Sequence, residues 1–144
     1  MISVKLKPRG VDDWGDGSFA APRVKSDGSR KPHKGIDYAC LPGQEVISPC
    51  VGVVTKLGYP YPIKDGFNYR YVEVTDLQGL RHRVFYIDPT VSIGMHVTIL
   101  NVIGVSQDIA GKFHDPRKEP MTNHVHYEVL DKAGTPQDPA KFHA

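Results

Sequence analysis

Seven histidines stand at positions 33, 82, 96, 114, 124, 126 and 143, and two of the stretches around them have spacings that suit metal chemistry. His124-Val-His126 sets two imidazoles two residues apart. On a strand, positions i and i+2 share a face, so both rings can reach one small volume. His33-Lys-Gly-Ile-Asp37 sets an imidazole and a carboxylate four apart, and the same parity holds for them if the chain there is extended. Two such segments can surround one tetrahedral ion and leave a position open for water. Each motif alone is weak, because a lone His-x-His is more often a chance surface pair and His-x-x-x-Asp is commoner still. Together, with Gly35 permitting a close approach and Tyr127-Glu128 following, they point to zinc.

Strands have to carry these side chains, and the sequence reads as many short ones. Residues 35–40, 45–48 and 52–57 are candidate strands punctuated by Pro42-Gly43 and Pro49. Residues 59–68 form a turn-rich loop, and residues 69–75 alternate as a half-buried strand does. A turn at 76–79 and a return over 81–87 make a hairpin, with further strands expected at 97–99 and 102–105. An irregular insertion at 107–120 has room for one helical turn near 109–113; residues 124–130 are the last strand, and 136–139 close the domain. Fourteen glycines and twelve prolines spread along the chain suit strands joined by turns better than a helical bundle. The expectation is a mainly β, antiparallel fold in one domain, since 144 residues leave no room for a second core. Within it, residues 1–32 read as a turn-rich segment packing on a core of residues 33–144, with Trp14 as an anchor onto the sheet.

Composition narrows the function classes. The chain is 40% hydrophobic and 24% charged with a formal net charge of +2, ordinary values for a soluble globular domain. Its lysines and arginines are scattered, and Arg81-His82-Arg83 is too short to serve as a nucleic-acid stripe. No stretch approaches the roughly 18 apolar residues of a membrane span, and residues 1–10 lack the apolar core and cleavage site of a signal peptide. Cys40 and Cys50 read as small buried hydrophobes in preference to a disulfide, whose close Cβ geometry spacing alone cannot supply. Tyr59, Tyr61, Tyr69 and Tyr71 read as ordinary packing, with a substrate groove as the alternative. His96 lies in a turn-like segment facing solvent, and His143 lies near the end of the chain.

The ordered set of motifs resembles the lysostaphin-type (LytM-like) zinc metallopeptidases over about residues 19–139. That family's signature is His-x-Gly-x-Asp, a Gly-x-x-Val-x-x-Pro stretch, Tyr-x-His, and a closing His-x-His-Phe-Glu. Here stand His33-Lys-Gly35-Ile-Asp37, Pro42-Gly43-Gln-Glu-Val46-Ile-Ser-Pro49 and His124-Val-His126-Tyr-Glu128, with Val91 to Val97 and Val102-Ile-Gly104 resembling the family's stretch between. The resemblance implies an antiparallel β-sheet with a substrate groove and a small sheet packed behind it. It implies one zinc per chain held by His33, Asp37 and His126, with His124 as general base or as the group that orders the attacking water. Zinc would lower the pKa of water towards about 7 and polarise the scissile carbonyl. The implied partners are peptides of bacterial peptidoglycan, cut by a monomer at the cell wall, in the periplasm or outside the cell. With no signal peptide in the sequence, a phage lysis or virion protein, or a trimmed secreted domain, is the expected origin.

One departure stands out. Where the family has Tyr-x-His, this chain has Tyr86-Ile-Asp88. The family's histidine there is its second catalytic imidazole; Asp88 can accept a hydrogen bond or a proton but, ionised, cannot donate to a developing oxyanion. His82 shares strand parity with Asp88, but six residues along a strand is about 20 Å. His114, in the insertion, is the reserve candidate. Two rival readings follow: a non-catalytic zinc-holding or peptidoglycan-binding domain of the same fold, and a biotinyl- or lipoyl-like carrier domain. The second needs a lysine at a hairpin tip, and Lys56 reads as lying in a strand.

Overall fold

The structure, a computed structural model, describes residues 11–12, 15–20, 22–24, 30–61, 68–110 and 122–142. Two short antiparallel pairs come first, β1 (Val11–Asp12) with β2 (Gly15–Asp16) and β3 (Pro22–Val24) with β4 (Arg30–Pro32). The body of the domain follows as β5 (Ile36–Ala39), β6 (Glu45–Ile47), β7 (Gly52–Gly58), β8 (Tyr71–Asp76) and β9 (Arg81–Phe85). It continues with β10 (Ile87–Pro89), β11 (His96–Val97), β12 (Val102–Ser106), β13 (His124–Leu130) and β14 (Pro136–Gln137), then one 3-10 turn at Pro139–Lys141. No α-helix occurs among the described residues.

These strands form two sheets. The larger runs β11-β7-β8-β9-β13-β14, with β5 also pairing β13, and the smaller runs β10-β12-β6; every pairing is antiparallel. Alternation decides which side of the larger sheet is dry. Val72 and Val74 of β8, Val84 of β9, and Val125, Tyr127 and Val129 of β13 have no exposed surface, and they meet Val46, Ile87 and Ile103 from the smaller sheet. Burying a side chain of this size stabilises by about 1.5–3 kcal/mol, so this layer is the main source of cohesion. The opposite face of the larger sheet carries the polar and aromatic residues, and there the candidate site lies.

Two expected strands break where the chemistry is. The return strand expected over 81–87 stops at Phe85, because Tyr86 sits in the left-handed region at φ 69°. For a non-glycine residue that conformation costs about 1–3 kcal/mol and persists only when its surroundings enforce it. Here the Tyr86 and Ile87 amides both donate to the Arg70 carbonyl, and the Gln107 amide donates to the Tyr86 carbonyl. The break sends β9 into the larger sheet and β10 into the smaller one. The strand expected over 35–40 is likewise shorter: the chain bends at Gly35 and β5 runs over Ile36–Ala39. Residues 17–20 of the N-terminal segment reach the core through Asp37 N–H to the Gly17 carbonyl and Ala20 N–H to the His33 carbonyl. Trp14, His114, His143 and most of the helical turn expected near 109–113 lie outside the described residues.

Candidate metal centre

β13 and β5 build the centre. Their pairing sets His126 opposite Asp37 and His124 opposite Ala39. Facing residues of an antiparallel pair share a side of the sheet, so Asp37, His124, His126 and Glu128 project together from the face away from the core. His33 arrives differently. Four extended residues span about 13 Å, yet His33 Nε2 lies 3.3 Å from Asp37 Oδ1, because the chain bends at Gly35. A Cβ at residue 35 would strike the Tyr127 carbonyl oxygen and come within 3.0 Å of His126 Cε1, so the bend requires glycine.

Three potential ligand atoms converge. His126 Nδ1 lies 2.8 Å from Asp37 Oδ1 and 3.0 Å from His33 Nε2, and the ligand atoms of the three residues all lie within 4.8 Å of one another. The other nitrogen of each ring is already engaged. His33 Nδ1 is 3.0 Å from the Ser18 carbonyl oxygen, and His126 Nε2 is 3.0 Å from Glu128 Oε1. Those oxygens accept, so the ring proton of each neutral imidazole belongs on that side and the inward nitrogen is bare. In that tautomer the two inward nitrogens and the carboxylate oxygen repel unless a proton or a metal cation lies among them.

The charge balance says the same. Burial alone would raise the Asp37 carboxyl, but hydrogen bonds from His126 and His33, with the rings of His124 and His126 close by, hold it far below the usual carboxylate range. Burial alone would lower His126, yet Asp37 and Glu128 push it up to about 9. A proton on His126 meets part of the demand for positive charge; a divalent ion meets it fully. Bonds of about 2.0–2.1 Å to a tetrahedral ion put ligand atoms about 3.3 Å apart. Separations of 2.8, 3.0 and 3.3 Å need only a slight opening to reach that. The residues therefore fit a small tetrahedral metal ion with one position left open.

His124 stands beside this triad. Its Nδ1 lies 2.7 Å from the Thr122 carbonyl oxygen, which puts the proton there and leaves Nε2 as the acceptor nitrogen, 3.6 Å from Asp37 Oδ2. Tyr86 meets its ring edge-on, with centroids 5.5 Å apart.

The sequence model of Peptidase family M23 matches residues 31–139 of this chain. The chain belongs to peptidase family M23. Its fold is that of solved M23 catalytic domains. It is similar to the catalytic domain of the antimicrobial peptidase lysostaphin from Staphylococcus simulans, at 21% identity over 89% of both chains with a TM-score of 0.63. It is similar to a mutant catalytic domain of the prophage-encoded M23 protein EnpA from Enterococcus faecalis, at 19% identity over 85% of this chain and 88% of that one, TM-score 0.57. A chain of the SpoIIQ-SpoIIIAH pore forming complex matches at 24% identity over 86% of this chain and 72% of that one, TM-score 0.60.

Within this M23 domain, the other residues singled out by sequence fall in several places. Asp88 is exposed on β10, and its partner among the described residues is Gln107, whose Nε2 donates to Asp88 Oδ1 at 3.0 Å. His82 is buried on the far side of the sheet, between Tyr127 and Asp76, and takes no part in the site. His96 is exposed on the edge strand β11. Cys40 and Cys50 are free thiols, Cys50 buried and Cys40 partly so. Tyr69 and Tyr71 are buried, while Tyr59 is exposed beneath the Arg70 guanidinium, 4.2 Å from its ring centroid. Three contributors had no role assigned from sequence. Glu128 was named as following His126 in the motif, and its place two residues on along the same strand made its role legible. The Ser18 carbonyl was not, because a backbone oxygen has no residue type. Tyr86, whose hydroxyl lies 2.9 Å from that of Tyr61, entered only as a motif letter.

Proposed function

We propose that this M23 domain is a zinc metalloendopeptidase that hydrolyses peptide cross-bridges or stem peptides of bacterial peptidoglycan, acting at the cell wall as a monomer. The observation that carries the reading is the convergence of one ring nitrogen each of His33 and His126 with the Asp37 carboxylate on one point. His33, Asp37 and His126 would hold the metal, one per chain. When bound, zinc supplies Lewis acidity towards water and towards the scissile carbonyl. Asp37 offsets part of the ion's charge, and Glu128 and the Ser18 carbonyl fix the two ligand rings. His124 receives the proton of the attacking water at Nε2, the nitrogen its Thr122 contact leaves able to accept. Burial first of all, and then the Tyr61 phenol, keep the Tyr86 hydroxyl protonated beside His124.

A second reading keeps the metal and drops the reaction. It rests on Asp88, which stands where related peptidases have a histidine and is bonded to Gln107; the match to a chain of a pore forming complex is compatible with it. The carrier-domain reading finds less support, since Lys56 lies inside β7 with its amine 5.8 Å from the Tyr71 ring centroid. Metal analysis of protein purified without chelator tests the ligand set: about one equivalent of zinc is expected, lost in His126→Ala. His124→Ala should keep its zinc and lose peptidoglycan cleavage. Full zinc retention in His126→Ala would overturn the ligand assignment, and zinc loss in His124→Ala would reverse the roles of the two histidines.

A further inference from the structure

Tyr86 faces the wrong way for a residue that continues a strand. Along β9, His82 and Val84 point into the dry layer, while Arg83 and Phe85 lie opposite Glu128 and His126 on the polar side. Regular alternation would send residue 86 to the core. Instead its ring meets His124 edge-on at 5.5 Å and lies 6.3 Å from the ring of its neighbour Phe85. The left-handed turn at φ 69° makes that reversal. Two successive aromatics thus face the centre, Phe85 with its ring 5.2 Å from that of His126 and Tyr86 against His124. Backbone strain of this kind collects at working sites.

The side chain is held as firmly as the backbone. The Tyr61 ring stacks on it at 6.4 Å with the two hydroxyl oxygens 2.9 Å apart, and Tyr69 meets it edge-on at 5.8 Å. A contact between two phenols uses one of their two protons. With Tyr61 as its donor, the Tyr86 proton is left for an acceptor on the His124 side. Burial first, then Tyr61, and after them the charges of Asp37 and Glu128 raise the Tyr86 hydroxyl well above its ordinary pKa, so it stays protonated.

The other groups placed at the centre face it as acceptors. In the tautomers that leave room for a metal, His33 and His126 carry their protons outward, towards the Ser18 carbonyl and Glu128, and His124 carries its own towards Thr122. Asp37 and Glu128, ionised, only accept. Asp88 is exposed in the smaller sheet and bonded to Gln107. An oxygen that gains negative charge during reaction is best met by a donor fixed in advance.

We propose that Tyr86 is a catalytic residue of this site, its hydroxyl donating a hydrogen bond to the substrate carbonyl oxygen as water adds to the scissile carbon. The proposal rests on the reading of the site as a peptidase and supplies the donor that an ionised Asp88 cannot be. The water oxygen bonds to the carbonyl carbon, the C=O π pair moves onto the carbonyl oxygen, and His124 takes the water proton. When the C–N bond breaks, the amine leaves with the proton from His124 and the C=O bond re-forms. Tyr86 keeps its own proton throughout.

Tyr86→Phe removes the hydroxyl and keeps the ring against His124, Tyr61 and Tyr69. With zinc content and urea midpoint near native, kcat on a peptidoglycan peptide should fall by about 100-fold or more, the low end for one such donor, with KM little changed. Affinity for a phosphinate peptide, whose tetrahedral anion mimics the charged oxygen, should fall in step while affinity for the product peptides holds. Zinc content, urea midpoint and product affinity all falling together would mark a merely structural tyrosine and overturn the proposal. A crystal structure of the zinc-loaded native protein with the phosphinate peptide needs no variant: the Tyr86 hydroxyl should lie about 2.5–3.0 Å from a phosphinate oxygen, and a hydroxyl still directed only at Tyr61 overturns it. Native cleavage with unchanged kcat and phosphinate affinity in Tyr86→Phe would sink this inference and leave the peptidase reading standing. No cleavage by the zinc-loaded native protein would remove both.

Discussion

With His126 as a proposed ligand, Glu128 beside its Nε2 favours the tautomer that ligation needs, so removing Glu128 should act on the metal without removing a ligand. Glu128→Ala is expected to lower zinc affinity by about 10–100-fold, the usual effect of losing such a partner; competition against a chromogenic chelator reads this, and unchanged affinity would contradict the role. Asp88 stands apart from the triad, bonded to Gln107. If it accepts a proton or orders water, Asp88→Asn should keep fold and zinc but lose at least about tenfold in rate, a modest share of what one acid–base group supplies, and Asp88→His should restore part of it. Unchanged cleavage in Asp88→Asn would leave His124 alone, or His114, to carry the proton. The clustering of His33, Asp37 and His126 was legible in the sequence because imidazole and carboxylate types at fixed spacing are rare in combination. The parity argument for His33 and Asp37 was not how the structure achieves their contact; the bend at Gly35 brings them together instead. Tyr86 escaped notice as a site residue because nothing in the sequence marks a tyrosine that adopts a left-handed backbone.

Most strands stand where alternation and turn residues put them, and the differences are at their ends. β9 and β10 were read as one strand because hydrophobic pattern carries no signal for a chain that changes sheets, whereas the break is enforced by distant groups, the Arg70 carbonyl and the Gln107 amide. Behind β13, a buried chain ties three strands and loops together: the Tyr127 hydroxyl lies 2.7 Å from His82 Nδ1, and His82 Nε2 lies 2.8 Å from Asp76 Oδ2. Neutral His82 satisfies both contacts, donating to Asp76 and accepting from Tyr127. Burial lowers its pKa below the usual 6.5 even though Asp76 opposes the shift. A histidine with a depressed folded pKa binds more protons when unfolded, so stability is lost as pH falls from about 6.5 towards the folded value. Asp76, burial notwithstanding, is held below its ordinary value of 3.8 by His82 and the Gln78 and Leu80 amides, which adds a further loss in stronger acid. Urea midpoints of metal-saturated protein should fall between about pH 7 and about pH 5, and the fall should be shallower in His82→Gln. Equal slopes in the two proteins would exclude this source of acid sensitivity.

At the scale of the molecule, two antiparallel sheets close over one valine-rich layer and leave a single polar face on which the metal centre, the Phe85–Tyr71 stack and Tyr86 lie side by side. The mainly β, one-domain architecture was readable because short alternating runs and dispersed glycine and proline admit few other packings. How β5 reaches β13 across the chain was not, since pairing between strands that distant in sequence leaves no local trace. Family M23 membership and this face together make zinc-dependent cleavage of peptidoglycan peptides the central claim. Mass analysis of fragments released from purified peptidoglycan tests it most directly, with the protein zinc-loaded, stripped by chelator, and reloaded. The account predicts new peptide termini from the loaded protein, none after stripping, and their return on adding zinc. An unchanged fragment profile with fully zinc-loaded protein would contradict it.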